Sequence, residues 1–393
     1  MTGAGLRLPD RFGNVTAWAT CRCNLACDYC YVYKLHPNQP RADMDEETIR
    51  ALLEFAKNHM IKPAEIWWFG GEPTVVWKDV IVRAVEIAEE MGMKIGWTPQ
   101  HDVKFGFTTN ATLLDEAKVE LMKRYQFGVL ISIDGTEEKH DKHRKYHDGR
   151  GTFKEVWRAI QLVRKHLNPN PQLRWTVSPD NLDGLADDIK WFVEQGLTAL
   201  ACDPVYECKW YEEDYEKFRR EMIKLRGYMI QWARRGVLPF ILSVRKASEV
   251  WLAMNRGWSW TDRCGLAQGG IGLDVNGDIY PCHRFVDTHD PTLVLGNVKT
   301  GIDQEKRIRL NVYWRECRPY CEDPSMCFEC LYRPACNGGC LAINWDLFGD
   351  MHVVPESYCR IANIAVEVFT PFHNLMVWEG NEAYRRTYLN VRL

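Results

Sequence analysis

Thr20-Cys21-Arg22-Cys23-Asn24-Leu25-Ala26-Cys27-Asp28-Tyr29-Cys30-Tyr31 is the stretch on which the reading of this chain turns. Cys23, Cys27 and Cys30 recur with three and then two residues between them. Three thiolates on one short loop hold three irons of a four-iron cluster, since each iron normally takes one Cys, and the fourth iron is left open to a substrate or cofactor. Structural zinc is the competing reading, but it wants four closed ligands from paired C-x-x-C knuckles. No partner pair lies within the next hundred or so residues. Cys21 falls outside the spacing and reads as a spare buried thiol.

Outward from the loop, residues 14–20 read as a buried strand that ends at the first thiol, and ligands at strand C-termini are typical of parallel α/β folds. Asp43 and Asp45 then offer helix N-caps before a face of Ile49, Leu52, Leu53 and Ala56. This strand-then-helix unit recurs. Strands are expected at 65–69, 103–107, 127–133, 173–177 and 197–202. The intervening helices bury Val80, Ala84, Ala88 and Met91, then Leu114, Ala117 and Leu121, then Val156, Ile160 and Val163 behind Thr152, then Leu185, Ile189 and Phe192. Six such units argue an α/β fold with a parallel sheet, either curved into a partial (β/α)6 barrel or laid flat and doubly wound. A bridging helix is expected near 215–232, with Phe218, Met222, Leu225 and Met229 inward.

The 393-residue chain is 46% apolar and carries a formal charge of −3 from 50 basic and 53 acidic residues. That balance offers no basic field for nucleic acid. No apolar run reaches the ~20 residues of a membrane span and no secretory signal opens the sequence, so a cytoplasmic location is expected. Fifteen Cys in that compartment read as ligands or catalytic thiols rather than disulfides. The sixteen Trp read as core and pocket residues.

Past residue 261 the rhythm changes. Residues 272–275 and 278–280, joined through Asn276-Gly277, form a hairpin signal that delivers Cys282 at a strand end. Cys327, Cys330, Cys336 and Cys340 follow with two, five and three residues between them, dense enough to bind metal either as a zinc ribbon or as an iron–sulfur site.

Cys23, Cys27, Tyr29 and Cys30 resemble the cluster loop of radical S-adenosylmethionine (SAM) enzymes, C-x3-C-x2-C with an aromatic residue before the last Cys. The resemblance implies a 4Fe-4S cluster whose open iron binds SAM, one-electron cleavage to a 5'-deoxyadenosyl radical, and an open six-stranded barrel. Gly70-Gly71-Glu72 matches the family's Gly-Gly-Glu motif, which contacts the SAM amino group. Ser132 and Arg144 match, more loosely, residues near the SAM ribose and carboxylate. Asn110 reads equally as a cofactor contact or as a turn residue capping the next helix.

The C-terminal cysteines are similar to the SPASM extension of this family: Cys264, Gly277 and Cys282 fit its first part, Cys327 to Cys340 its second, and Cys359 its last. That similarity implies two auxiliary 4Fe-4S clusters, three clusters in all. By motif position Cys327, Cys330, Cys336 and Cys359 hold the distal one, and Cys264, Cys282 and Cys340 the one nearer SAM, with Cys317 or Cys321 available to close it. Implied domains are a barrel over 10–210, a helical bridge over 211–260, a SPASM domain over 261–360 and a helical tail over 361–393.

The activity implied is hydrogen abstraction from a peptide or protein side chain, to install a cross-link or oxidation as in the maturation of ribosomally made peptides. Sulfatase-maturating enzymes of this architecture place an Asp base after the hairpin Cys. Here that residue is His283, a candidate acid/base, which turns the reading toward peptide maturases. Alternatives are formylglycine formation on a sulfatase, or radical oxidation of a small-molecule alcohol. Only about twenty residues precede the cluster loop, so leader recognition is expected to fall to the barrel, the C-terminal helix or a separate leader-binding protein. A flavodoxin or ferredoxin is the expected reductant, and the chemistry implies an anaerobic setting.

Overall fold

The computed structural model describes residues 8–34, 42–256, 265–288, 290–316 and 318–389. In chain order the main elements run β1 (Phe12–Thr20), α1 (Glu46–His59), β2 (Met60–Gly70), α2 (Arg83–Glu90), β3 (Val103–Thr109), α3 (Glu116–Arg124), β4 (Gly128–Ser132) and α4 (Phe153–His166). Next come β5 (Gln172–Val177), α5 (Leu185–Glu194), β6 (Leu200–Pro204), α6 (Glu212–Arg234) and α7 (Leu242–Arg256). The last third holds β7 (Gly270–Leu273), β8 (Asp278–Tyr280), β9 (Gly296–Asn297), β10 (Gly301–Ile302), α8 (Gln304–Glu316), β11 (Tyr320–Cys321), α9 (Leu341–Phe348), β12 (Val353–Val354) and α10 (Glu356–Trp378). Two compact units result: 1–132, 140–171 and 265–316 form one, and 133–139, 172–264 and 317–393 the other.

In the first unit β1, β2, β3 and β4 lie side by side and parallel, with Val15 opposite Ile66 and Ile66 opposite Phe105. Trp18, Trp68, Phe105 and Phe107 are fully buried in this sheet's cover. Removing side chains of this size from water stabilises by about 1.5–3 kcal/mol each relative to exposure. On the other side of β1 the sheet continues with β7, also parallel, Asn14 facing Gly270. The hairpin signal therefore does more than deliver a cysteine, because its first strand extends the sheet that carries the cluster loop. β7 and β8 pair antiparallel, and Asp274 and Gly277 close the loop between them, with Gly277 at φ +90°. That left-handed residue suits Gly.

Most expected helix faces are observed, including the buried Ile49, Leu52, Leu53 and Ala56 of α1, which starts at Asp45 with its carboxylate capping the Thr48 amide. One differs. Asp115 caps α3 through the Lys118 amide, so the helix begins after Leu114 and turns Val119 and Met122 inward, leaving Ala117 exposed. In the second unit β5 and β6 pair parallel. β6 begins three residues later than expected, because the Leu197 amide is spent on the Phe192 carbonyl at the end of α5. The bridge α6 buries Phe218, Met222, Leu225 and Met229 as its spacing predicts. Among the described residues no helix is long and apolar enough to cross a membrane.

Candidate functional site

The cluster loop leaves β1 at its C-terminal end and is pinned on several sides within the first unit. Leu25 bridges Tyr146, the Ala26 amide donates 2.8 Å to the Lys145 carbonyl, and the Cys30 amide donates 3.2 Å to the Cys27 carbonyl. Cys23, Cys27 and Cys30 are partly exposed on this loop, and Cys21 is buried beside them. The Leu25 amide donates to Cys23 Sγ at 3.4 Å. Burial, assisted by the charge of Glu72, pushes the Cys23 thiol up to about 12. A thiol so placed stays protonated in water until a metal displaces the proton.

Gly70 and Gly71 let the end of β2 lie directly on this loop. A Cβ on Gly71 would sit 2.1 Å from the Arg22 carbonyl oxygen, and one on Gly70 2.2 Å from that of Thr20. Instead the Gly71 amide donates 2.8 Å to the Thr20 carbonyl and the Glu72 amide 2.8 Å to that of Arg22. Glu72 itself is buried. Its Oε1 accepts from the Thr74 amide (3.0 Å) and hydroxyl (2.6 Å) and from the Thr109 hydroxyl (2.7 Å), while Oε2 accepts from the Asn110 amide at 2.6 Å. Desolvation raises its carboxyl above the ordinary range, against the pull of these donors. The carboxylate thus ties the end of β2 to the end of β3.

Asn110 continues the tie. Its Oδ1 accepts from the Thr112 amide and hydroxyl, which is the turn-capping role, and its Nδ2 donates 2.9 Å to Asn24 in the cluster loop. Asn24 in turn donates to the Thr112 hydroxyl at 2.8 Å. Ser132 ends β4 and is buried, as is Arg144. The Arg144 guanidinium lies over the Tyr29 ring at 5.4 Å from its centroid, within cation–π range. His143 Nδ1 donates to the Asp28 carboxylate at 2.9 Å, and its ring meets that of Tyr29 at 5.6 Å. The sequence does not single out His143, Asp28 or Asn24, because their contacts join residues 115 positions apart (His143 and Asp28) and 88 apart (Asn24 and Thr112), and no local spacing announces them.

The hairpin brings a second segment to the same place. Gly272 has no room for a side chain, since a Cβ would meet the Cys282 carbonyl at 2.5 Å. Beyond Cys282, His283 sets its ring edge-on to Phe69 at 5.1 Å, and the Arg284 guanidinium covers the Tyr31 ring at 3.8 Å. The end of β2, the cluster loop and the residues after Cys282 therefore meet. Burial and the neighbouring Arg284 lower His283 to about 4, so the imidazole is neutral at physiological pH and its conjugate acid is a strong one.

In the second unit five thiols, Cys321, Cys327, Cys330, Cys336 and Cys359, line one cavity together with Arg318 and Arg333. Cys321, weighed above for the nearer cluster, lies here with the four thiols of the distal set. Burial raises the Cys330 and Cys336 thiols above their ordinary value. Among the described residues no three His, Cys, Asp or Glu converge on one point as ligands of a single ion do. Five thiols around one cavity supply enough sulfur for a four-iron cubane, which takes one Cys per iron. Cys340 is the residue before α9, Cys282 lies in the first unit, and Cys264 and Cys317 fall outside the described residues.

The sequence profile of the Radical SAM superfamily matches residues 19–192. The chain carries a radical SAM domain. It is an enzyme of that class, and it is 25% identical to the serine-type anaerobic sulfatase-maturating enzyme of Bacteroides thetaiotaomicron over 81% of this chain and 80% of that one. The cysteine-type enzyme of Clostridium novyi is 25% identical over 82% of this chain and 86% of that one. Native anSMEcpe with bound AdoMet and Cp18Cys peptide has the same fold, with a TM-score of 0.72 at 22% identity over 94% of this chain and 99% of that one. Streptococcus suis SuiB bound to precursor peptide SuiA overlays with a TM-score of 0.55 at 17% identity, covering 90% and 76% of the two chains. The α/β fold with a parallel sheet is the one expected from the strand–helix rhythm, and its radical SAM type with a Cys-rich C-terminal region is the one the resemblance implies.

Proposed function

We propose that this enzyme is a maturase that removes a hydrogen atom from a side chain of a peptide or protein. The observation that carries the proposal is the convergence, within the first unit, of the three-thiol loop, the Gly70-Gly71-Glu72 end of β2 and the segment after Cys282. Cys23, Cys27 and Cys30 would hold a 4Fe-4S cluster, and Cys327, Cys330, Cys336 and Cys359 a distal one. When bound, the first cluster and SAM supply one-electron reduction and the deoxyadenosyl radical. The chain's own part is positioning. Glu72 and Asn110 fix the loop's distance from β3, Arg144 and Ser132 would present a cation and a hydroxyl to SAM, and the ring contact of Phe69 with His283 holds the segment after Cys282 against the end of β2. A peptide substrate is supported by the two solved relatives held with peptides.

The test uses a perdeuterated extract of the host, split by size into a protein-and-peptide fraction and a small-metabolite fraction. Deuterium is expected in 5'-deoxyadenosine from the first fraction and to be lost after protease treatment. Transfer from the small-metabolite fraction alone would overturn the proposal. A second reading, sulfatase maturation, is favoured by the identity shared with two sulfatase-maturating enzymes over four-fifths of the chain. Sulfatase peptides deuterated at the Cβ of the target Ser or Cys separate it: transfer from them selects this reading within the same class.

A further inference from the structure

In the second unit α7 carries Lys246, Glu249, Val250 and Ala253 at a spacing that places them on one side of the helix. That side meets the loop of the distal thiols. Lys246 Nζ donates to the Tyr332 hydroxyl at 3.1 Å and to the Tyr358 hydroxyl at 3.0 Å. It also stands 4.5 and 5.0 Å from the centroids of these two rings, within cation–π range. Tyr332 donates in turn to Glu249 Oε2 at 2.7 Å, and Arg245 Nε meets the other oxygen of that carboxylate at 3.0 Å. With Lys246 3.9 Å from Glu249, one carboxylate faces two cations, and the group as a whole is positive.

The two tyrosines lie directly behind the thiols. Both are buried, and Cys330, Cys336 and Cys359 pack against the core they form with Ala335 and Val354. The same three thiols line the distal cavity. The Tyr358 hydroxyl reaches Asn337 Oδ1, next to Cys336, at 3.5 Å, and a Cβ on Gly339 would meet the Tyr358 ring at 3.3 Å. Arg318 and Arg333, which also line the cavity, are exposed and so screened by solvent, whereas the Lys246 side chain is only 20% exposed.

We propose that Lys246 is a positioning residue that sets the potential of the distal cluster: its ammonium, held behind Cys330, Cys336 and Cys359 by Tyr332 and Tyr358, raises the reduction potential. The proposal rests on the reading of the distal site given above. A cubane gains one negative charge when it takes an electron, and net charge and solvent exposure are among the factors that set its potential. A fixed cation favours the more negative form, most strongly where burial keeps the local dielectric low. Glu249 opposes Lys246, so the two side chains act on the cluster with opposite sign.

The full-length chain is purified without oxygen, reconstituted, and studied by electron paramagnetic resonance at a series of fixed potentials. The signal that disappears in Cys330→Ser/Cys336→Ser belongs to the distal cluster. Iron counts and far-UV circular dichroism check that the other variants keep their clusters and fold. Lys246→Met is expected to move the midpoint of that signal to more negative potential by about 59 mV, a tenfold change in the ratio of reduced to oxidised cluster for a one-electron couple. Glu249→Gln, which leaves Tyr332 its acceptor, should move it the other way. An unmoved midpoint in either variant, or shifts of one sign in both, as altered packing alone would give, overturns the proposal. If Lys246→Met loses the cluster, the sign of the Glu249→Gln shift decides. A Cys330→Ser/Cys336→Ser variant that keeps every signal and all its iron overturns the distal site itself, a failure separate from that of the tuning.

Discussion

At the scale of single residues, Glu72 shows how a motif read as a ligand contact also serves the scaffold. Four protein donors converge on its carboxylate, two from Thr74 in the turn after β2 and two from Thr109 and Asn110 at the end of β3. Glu72→Ala leaves buried amides without an acceptor, and stranding a buried donor costs about 1–3 kcal/mol. The variant is expected to melt roughly 2–12 °C lower in a thermal scan, at the 2–4 °C per kcal/mol usual for units of this size. A melting point unchanged within a degree or so would mean the carboxylate has no such structural share. The Gly-Gly-Glu triplet was visible in sequence because it follows a strand directly; its hydrogen-bond partners Thr74, Thr109 and Asn110 were not, because they depend on β2 and β3 lying in register.

Elements were legible where their burial has a simple period. β1 to β6 are short apolar runs followed by amphipathic helices, and each was placed to within a few residues. What escaped were contacts that join distant short segments. The two-residue strands β11 and β12 carry no periodicity, yet their pairing places Cys321 in the distal cavity. The parallel pairing of β7 with β1 joins residues more than two hundred positions apart, so it too leaves no local mark. The packing of β2 on the cluster loop gives a test at this scale. Gly71→Ala should drive the loop off β2 and lower both the iron bound through the first cluster and the thermal midpoint, because its Cβ would meet backbone at 2.1 Å. Gly227→Ala, in the middle of α6 with open space around it, should instead stabilise by about 0.5–1 kcal/mol. If the two substitutions behave alike in a melting experiment, the close approach at Gly71 is not what holds the loop.

At the scale of the whole molecule, the two cysteine-bearing regions proposed to hold clusters each sit in their own compact unit alongside an α/β framework built from the same strand-then-helix repeat. The first unit presents three thiols at the end of a parallel sheet; the second rings a cavity with five. The central claim is that Cys23, Cys27 and Cys30 hold the cluster at which SAM is cleaved. It is tested most directly by anaerobic reconstitution of the wild type and of a Cys23→Ala/Cys27→Ala/Cys30→Ala variant, counting iron and measuring 5'-deoxyadenosine formed from SAM under a strong reductant. The account predicts that the variant loses about four irons, one cubane, and all cleavage. An unchanged iron count, or cleavage that survives the substitution, would contradict it.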